Sequence, residues 1–393
     1  MINNEIVNKI KSLKSDSGTH SPSIESILIN CPEISIDVDA CFLSNPYATD
    51  LFVDYFNNDL IENKKLRNYL EFYPPQNRQI AKVISQIIGV DFNNIFVGNG
   101  AIEIIQAVLH RYVGNNLCIV LPTFSSYYEF VKPTTKVHYF YLQKEYDFSF
   151  VIEDYLKFIK FNNCDSAVLI NPNNPNGGYI EKDQILYILE ELKDLDVVIL
   201  DESFIHFAYE GNDMANMSID YICKTYPNLV LIKSMSKDFG IAGIRAGYAL
   251  LSKTRVDELL SNGFLWNVSG LSTYFFQLYG NKKFQDQYEI VRKNYILNTK
   301  MFISELSKIH GIKVYSSKSN FVLVELLVNI SSFDFTMYLL INYGVYIRDC
   351  SDKFGLEGQF IRIASRSFEE NHKIIDSLKK CLNEFFDQKN IGF

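Results

Sequence analysis

Apolar residues in this chain are concentrated in short runs, separated by longer stretches in which they recur at helical spacing. The short runs lie at residues 94–97, 117–121, 137–141, 167–170, 197–200, 229–232 and 248–251. Between the first two runs, apolar residues follow the period of a helix, at Ile104, Ile105, Val108 and Leu109. Nearly continuous apolar strands that alternate with helices are typical of a parallel sheet buried on both faces. We therefore predict an α/β fold with a mainly parallel sheet sandwiched by helices.

The C-terminal part of the chain shows a second, smaller set of elements. Apolar positions recur at helical spacing from Tyr288 to Ile309, which predicts a long helix that connects to this part. Strand-like runs follow at residues 321–326, 345–347 and 360–363, and a closing helix is predicted at residues 370–386. This alternation indicates a smaller α/β domain.

The first part of the chain lacks this alternation. A short helical pattern at residues 6–13 precedes a turn-rich loop at residues 15–22, and the proline-containing segments 44–47 and 72–75 are predicted to be loops. We predict three parts, namely an N-terminal arm that packs with the small domain or a dimer partner, a large cofactor-binding domain and a small C-terminal domain, over residues 1–45, 46–272 and 273–393.

The apolar run at residues 229–232 ends in a group of polar side chains. Ser234, Ser236 and Lys237 follow it directly, and Arg245 lies between two glycines a few residues later. Serine hydroxyls and a guanidinium suit a phosphate dianion, because arginine offers a planar fork of donors. The amine of Lys237 is then placed to form a Schiff base with a carbonyl beside that phosphate. Pyridoxal 5'-phosphate (PLP) presents this pair of groups.

Other strand ends carry candidate cofactor contacts. Asp201 ends the run at 197–200 and could pair with a pyridinium nitrogen, which keeps the ring an electron sink. The Gly-Asn-Gly turn ending at Gly100 precedes a helix, whose first amides form an anion site. Phe124 could stack on a flat ring, and Asn174 could donate an amide from a strand end. Taken singly, each has a structural alternative: a helix cap, a tight turn or a core aromatic.

The composition of the chain disfavours several classes of function. The 393 residues are 47% hydrophobic and 21% charged, which is typical of a globular protein, and the net charge of -8 gives no reason to expect nucleic acid. We predict no membrane span and a cytoplasmic location, because no long apolar stretch or signal pattern occurs. The seven cysteines are scattered without a Cys-x-x-Cys pair, so we expect neither disulfides nor a metal. The absence of Gly-x-Gly-x-x-Gly disfavours a dinucleotide fold.

Taken together and in this order, these motifs resemble fold type I PLP enzymes of the class I and II aminotransferase superfamily over essentially the whole chain. The branch they resemble most contains threonine-phosphate and serine-phosphate decarboxylases and histidinol-phosphate aminotransferases. The resemblance implies that Lys237 forms the Schiff base and that Asp201 pairs with the ring nitrogen. It also implies the remaining cofactor contacts, which are Gly100, Ala101, Ile102, Phe124, Asn174, Ser234, Ser236 and Arg245.

The same resemblance implies a homodimer with shared active sites and a set of substrate ligands. Tyr73, in a Tyr-Pro motif, matches a tyrosine that reaches the neighbouring subunit's cofactor phosphate. Arg362 matches the arginine that grips the substrate carboxylate. Arg348, Arg366 and His20 match residues near the substrate in the decarboxylase branch. A single arginine in such a strand would usually be a structural ion pair, but three in one small domain favour anion binding.

Several residues distinguish the decarboxylase branch from the aminotransferases. Phe204 stands where aminotransferases commonly have a tyrosine, and an Ile-Arg-x-Cys segment that ends at Cys350 resembles the decarboxylases. Ser203, His206 and the Ser-Met-Ser-Lys segment depart from the decarboxylase pattern. The balance favours a PLP-dependent decarboxylase of a phosphorylated hydroxy-amino acid.

The first choice of substrate is O-phospho-L-serine, which would give ethanolamine phosphate and CO2, and O-phospho-L-threonine comes next. Two alternatives stay open. One is an aminotransferase of a phosphorylated substrate such as histidinol phosphate, and the other is a PLP-binding regulator without catalysis.

Overall fold

The computed structural model describes the backbone of residues 4–390 and the side chains of residues 5–385. The α-helices in this part are α1 (Asn4–Asp16), α2 (Ile24–Asn30), α3 (Pro46–Phe56), α4 (Leu66–Glu71), α5 (Asn77–Ile88), α6 (Ala101–Tyr112), α7 (Ser126–Glu129), α8 (Ile152–Phe161), α9 (Lys182–Glu191), α10 (Lys253–Ser261), α11 (Gly270–Tyr279), α12 (Lys282–Leu306), α13 (Ser332–Tyr343) and α14 (Phe368–Asn390). The strands are β1 (Val38–Ala40), β2 (Ile95–Asn99), β3 (Asn116–Leu121), β4 (Lys136–Tyr141), β5 (Ser166–Ile170), β6 (Val197–Asp201), β7 (Leu229–Ser234), β8 (Ala246–Leu250), β9 (Ile312–Val314), β10 (Phe321–Leu326), β11 (Val345–Asp349) and β12 (Phe360–Ala364).

The chain divides into two compact units. The large unit contains Ser44–Asn174 and Gly178–Ile296, and the small unit contains Met1–Leu43, Pro175–Gly177 and Leu297–Phe393. Helix α12 contributes residues to both. The three-part division into residues 1–45, 46–272 and 273–393 stays a prediction.

The large unit is built on a seven-stranded sheet with the order β2-β8-β7-β6-β5-β3-β4. All neighbouring strands are parallel except where β8 pairs antiparallel with β2 and β7. The predicted mainly parallel sheet is therefore confirmed. Strands β5, β6 and β8 are buried along their full length, as expected for a sheet covered by helices on both faces.

The register of this sheet aligns the carboxyl ends of three central strands. Asp201 at the end of β6 lies opposite Ile232 on β7 and Ile170 on β5. The loops that follow these strands therefore leave the sheet at the same edge. In open α/β sheets this edge is where ligands bind.

The small unit contains a five-stranded sheet with the order β1-β11-β12-β10-β9. Strand β1 is parallel to β11, and the other pairs are antiparallel. The N-terminal residues supply β1 and also pack in a core cluster, where Ile10 and Ile27 lie with Met337 and Leu340. Strands β1 and β9 were not predicted, because three residues are too few to show a periodic pattern.

The prediction of loops around the early prolines was wrong at residue 46. Pro46 occupies the first turn of α3, and the side chain of Asn45 caps this helix by accepting a hydrogen bond from the Ala48 amide. Proline is favoured at this position because its missing N–H has no partner in a helix anyway. Within residues 4–390, no helix is both long and apolar enough to cross a membrane.

Candidate active site

The backbone at Lys237 is held by the start of helix α3. The amide of Asn45 donates a hydrogen bond to the carbonyl of Lys237 at 2.9 Å, and the Asn45 side chain donates to the carbonyl of Asp238 at 3.3 Å. The Gly240 amide also donates to the Lys237 carbonyl, at 3.2 Å. Gly240 has a φ of +64° and leaves no room for a Cβ against Asn45 and Thr49. The turn that carries Lys237 is therefore fixed by packing at a glycine and by the cap of α3.

Asp201 is a buried carboxylate with two hydrogen-bond donors. Tyr127 donates its hydroxyl to Oδ2 at 2.7 Å, and the Ser203 amide donates to Oδ1 at 2.8 Å. Burial raises the pKa of Asp201, while these donors oppose the increase. Among the described residues no cation pairs with this side chain. A protonated pyridine nitrogen would supply the missing positive charge, so the site fits the ring of PLP.

Gly100 and Arg245 form an anion cradle. Gly100 has a φ of +76° and precedes α6 without any side-chain cap, so the first amides of this helix lack a capping partner. A Cβ on Gly100 would lie 2.5 Å from Nη2 of Arg245, so the guanidinium lies directly against this turn. The backbone of Arg245 has a φ of +63°, a conformation that residues other than glycine rarely adopt. Helix amides and a guanidinium fit a phosphate group.

The predicted serines and the helix residues lie beside this cradle. Ser234 ends β7, and its register partner on β8 is Gly247. The Ser236 amide donates to the Ser234 hydroxyl at 3.3 Å. A Cβ on Gly247 would lie 2.8 Å from the amide nitrogen of Ala101, so the end of β7–β8 contacts the start of α6. Ile102 follows Ala101 in the first turn of this helix. The structure thus brings together the predicted phosphate ligands from three segments of the chain.

The asparagine-rich loop after β5 is held by two of its asparagines. Asn171 exchanges two hydrogen bonds of 2.9 Å with the backbone of Ile180. Asn173 accepts from Thr123 at 3.1 Å and donates to the carbonyl of Pro122 at 2.9 Å. The bonds of Asn173 tie the loop after β5 to the loop after β3, which also carries Phe124. Asn174 is buried in the same loop.

His206, which departs from the decarboxylase pattern, has a hydrogen-bond partner in the structure. Its Nδ1 lies 2.5 Å from Oδ2 of Asp238, the residue after Lys237. The carbonyl of His206 accepts a hydrogen bond of 2.8 Å from Arg292. This contact links the short helix after β6, Ile205–Phe207, to the turn that carries Lys237. Phe204 is buried and has no hydroxyl to offer to a ring.

A buried ion pair lies beside these residues in the large unit. Lys233 and Glu202 approach to 2.6 Å with almost no solvent exposure. Ser218 donates to the same Glu202 oxygen at 2.6 Å, and the Ile219 amide donates to the other at 3.2 Å. Neither this pair nor Tyr127 was predicted from the sequence. No local pattern reveals such contacts, because the partners come from distant segments.

The predicted substrate residues lie in the small unit, and the structure brings part of this set together. Arg348 on β11 and Arg362 on β12 are direct cross-strand neighbours, and both are buried. Arg348 donates to Asp352 at 2.7 Å and to the carbonyl of Thr19 at 2.8 Å. Lys14 donates to the carbonyl of His20 at 3.0 Å and also pairs with Asp352. The His20 loop is therefore attached to Arg348 through Thr19 and Asp352.

Arg362 and Arg366 have different surroundings. Arg362 donates to the carbonyl of Cys41 at 2.8 Å and lies over the Phe321 ring. Burial lowers its pKa. Arg366 lies two residues before α14, and its guanidinium is 3.6 Å from Glu370 in the first turn of this helix. Arg366 is thus engaged in a local ion pair.

One cation near this set was missed. Lys353 follows the Ile-Arg-x-Cys segment in the turn after β11 and is only 6% exposed. In the sequence it has the position of an ordinary turn lysine, and burial is the property that distinguishes it.

Tyr73 lies at the surface of the large unit. It is 80% exposed, and its ring centroid is 4.8 Å from that of Trp266. Its proposed role toward a second subunit stays a prediction. All seven cysteines are buried thiols. The described residues contain no group of His, Cys, Asp and Glu that could hold a metal ion.

The large sheet, with a lysine, a buried carboxylate and an anion cradle beyond its strand ends, has the architecture of fold type I PLP-dependent enzymes. Residues 52–378 match the sequence model of the class I and II aminotransferases. The chain belongs to this family, and PLP is its cofactor.

The relatives with high similarity are decarboxylases. The L-serine phosphate decarboxylase of Campylobacter jejuni is 55% identical over 379 residues, which cover 96% of this chain and 97% of that protein. An L-serine phosphate decarboxylase of Sulfurospirillum multivorans is 42% identical over 382 residues, with 97% of each chain covered. The solved structure of a decarboxylase from S. multivorans, also 42% identical, matches with a TM-score of 0.93 over 97% of each chain.

Proposed function

We propose that this protein is a PLP-dependent decarboxylase that converts O-phospho-L-serine to ethanolamine phosphate and CO2. The observation that carries this proposal is the 55% identity, over nearly the full length of both chains, to a protein named L-serine phosphate decarboxylase. O-phospho-L-threonine is the second candidate substrate. The three arginines of the small unit, Arg348, Arg362 and Arg366, support a substrate with two anionic groups.

In this proposal the large unit holds the cofactor. Lys237 would attach it covalently, and Asp201 would keep its ring nitrogen protonated through a buried ion pair. Phe124 would stack on the ring, and Asn174 would donate to its hydroxyl. The phosphate is held by residues of the cradle, namely Gly100, Ala101, Ile102, Ser234, Ser236 and Arg245. When bound, PLP accepts the electron pair of the bond that breaks at the substrate α-carbon.

The substrate residues determine which bond breaks. Decarboxylation requires that the substrate is held so that the bond from the α-carbon to the carboxylate is the one that breaks. Arg348, Arg362, Arg366 and His20 are the residues we assign to the substrate anions. Binding energy from the phosphate end can fix the rotation at the α-carbon. Loss of CO2 would leave an electron pair at the α-carbon, and a proton would have to take the place of the carboxylate there. Lys237, whose amine would be released from the cofactor when the amino group of the substrate takes its place, would donate this proton.

We further propose a homodimer in which Tyr73 contacts the cofactor phosphate of the second subunit. The high exposure of the Tyr73 ring supports this role, because an exposed aromatic pair is unusual on an isolated surface. The cytoplasmic location expected from the sequence stays a prediction.

The experiment that tests the function is incubation of the PLP-loaded protein with O-phospho-L-serine in the absence of any keto acid. Ethanolamine phosphate and CO2 should form in equal amounts. L-serine, which lacks the phosphate, should react far more slowly and is the control. O-phospho-L-threonine run in parallel shows which of the two substrates is preferred.

The family match favours one alternative, an aminotransferase of a phosphorylated substrate. If turnover begins only after 2-oxoglutarate is added, and the amino group appears on the keto acid, the alternative is correct. A stable yellow protein without turnover on any of these compounds would instead indicate a PLP-binding regulator.

A further inference from the structure

Lys353 is a buried lysine whose ammonium group has no partner in the described structure. Its backbone is part of the turn after β11, where its amide donates to Cys350 at 3.0 Å and its carbonyl accepts from Leu356 at 3.1 Å. Among residues 5–385, its side chain makes no hydrogen bond or ion pair. Burying a charge without a partner is costly, and proteins usually avoid it. Such a lysine therefore needs an explanation.

The groups around Lys353 add positive charge. Arg348 and Arg362, which face each other across β11 and β12, both act on it electrostatically. We call Arg348, Lys353 and Arg362 the cation cluster. Burial, followed by the repulsion from Arg348, lowers the pKa of Lys353 to about 8. Lys353 thus loses its proton more easily than an ordinary lysine does in the free protein. An anion that binds beside it would raise its pKa and keep it protonated.

Acidic groups only partly compensate the cation cluster. Asp352 contacts Arg348 and is shared with Lys14. Asp39, which acts on Arg362, accepts hydrogen bonds from the amides of Cys41 and Phe42. Among these charged groups, the cations therefore outnumber the carboxylates. This excess suits a ligand with more than one negative charge.

We propose that Lys353 binds the phosphate group of the substrate, as part of the cation cluster. This proposal rests on the proposed function, because it takes the phosphorylated amino acid as the ligand. The phosphate is a better match than the carboxylate for two reasons. It carries close to two negative charges at neutral pH, and it remains on the product. Strong binding of the carboxylate in a cation cluster would stabilise the ground state of the group that must leave.

The test compares Lys353→Met with Lys379→Met, which removes an exposed lysine of α14 in the same unit. Methionine keeps the length of the side chain and removes the charge. We expect Lys353→Met to raise the KM for O-phospho-L-serine by about tenfold to a hundredfold, the range for a hydrogen bond to a charged group. The inhibition constant of ethanolamine phosphate, which lacks the carboxylate, should rise by the same factor. Lys379→Met should change neither.

Stability separates a binding role from a structural one. Removal of an unpaired buried charge should leave the urea midpoint of the protein unchanged or raise it. A fall in the midpoint would mean that Lys353 is a structural residue, and this result would overturn the proposal. An unchanged KM would overturn it as well. A rise in KM without a rise in the inhibition constant of ethanolamine phosphate would assign Lys353 to the carboxylate instead.

The pH dependence supplies a second readout. Below pH about 8 the ammonium of Lys353 is charged, and above this pH phosphate binding should weaken as it loses its proton. The charged and titratable groups that act on it are Arg348, Cys350, Asp352 and Arg362. In Lys353→Arg the rise in KM above pH 8 should disappear, because arginine stays protonated. A wild-type rise that persists in Lys353→Arg would come from another group and would contradict the proposal.

Failure of the proposed function can be recognised separately. If O-phospho-L-serine is not decarboxylated, binding of inorganic phosphate to the PLP-loaded protein is measured by calorimetry instead. The cofactor already fills its own phosphate cradle, so this probe reports the second site. Weaker phosphate binding in Lys353→Met than in Lys379→Met would still support Lys353 as a phosphate ligand. Equal binding in the two variants would exclude it.

Discussion

Two buried lysines, one in each unit, differ in how their charge is compensated. Lys233 in the large unit lies 2.6 Å from Glu202, whose oxygens also accept hydrogen bonds from Ser218 and Ile219. Lys353 in the small unit is also buried, at 6% exposure against 2% for Lys233, but it makes no ion pair with the described residues, and the charged groups that act on it are Arg348, Arg362 and Asp352. The charge of Lys233 is thus compensated by a carboxylate of the protein. We propose that an anion of the bound substrate compensates the charge of Lys353.

The same distinction applies to carboxylates in the large unit. Glu202 is paired with a lysine, whereas Asp201, the adjacent residue, has two donors and no cation among the described side chains. We assign the ring nitrogen of PLP to Asp201 and the substrate phosphate to Lys353. On this interpretation, a buried ionisable group without an oppositely charged partner is a candidate ligand-binding residue. A buried ion pair such as Lys233–Glu202 has a structural role.

The largest effect is expected at Lys237, which lies four residues beyond Lys233. Lys237→Ala should reduce turnover of O-phospho-L-serine by at least about a thousandfold, because the variant loses both the attachment of the cofactor and the proton donor. Borohydride treatment of the yellow wild-type protein, followed by mass spectrometry of peptides, should find the cofactor on Lys237. Label on Lys233, or normal rates in Lys237→Ala, would show that the assignment is wrong.

The next effect concerns stability and tests the comparison of the two lysines directly. Lys233→Met leaves the Glu202 carboxylate buried without its cation and should cost about 3–5 kcal/mol of unfolding free energy. Lys353→Met, the same chemical change, should not lower the free energy of unfolding. Urea denaturation of both variants measures the difference. The double variant Lys233→Met/Glu202→Met should recover part of the loss, and equal destabilisation by the two single variants would refute the distinction.

The cofactor side of the site could be proposed from the sequence because its candidate residues follow apolar strands. Asp201, Asn174 and Lys237 are each preceded by a buried run of Val, Ile and Leu, and the parallel sheet brings such ends to one edge. The fold class followed from the same runs. The helices α3 to α5 were missed, since Pro46 was interpreted as a loop signal although it begins a helix.

The contacts that could not be predicted from the sequence join distant segments. His206 and Asp238 are 32 positions apart, and Tyr127 and Asp201 are 74 positions apart. Lys353 follows Asp352 in a polar turn, so that its hydropathy pattern indicates exposure. Its burial results from the packing of the small unit, which no local pattern contains.

The smallest effect is expected from Tyr127→Phe, which removes one of the two donors to Asp201. Because this hydrogen bond opposes the effect of burial, its loss should raise the pKa of Asp201 further. The carboxylate is then protonated over a wider acidic range, so the acid limb of the kcat profile should move to higher pH. At neutral pH kcat should fall by about threefold to tenfold, which corresponds to one net hydrogen bond.

The matched control for this variant is Tyr155→Phe. Tyr155 on α8 is also fully buried, but within the described residues its hydroxyl donates to no carboxylate. This variant should leave the pH profile unchanged, because Asp201 keeps both donors. If both tyrosine variants shift the acid limb of the kcat profile equally, the shift results from a general loss of packing and not from the hydrogen bond to Asp201. If neither shifts it, the charge on Asp201 is maintained by the bound cofactor alone, and the donors serve only to orient the carboxylate.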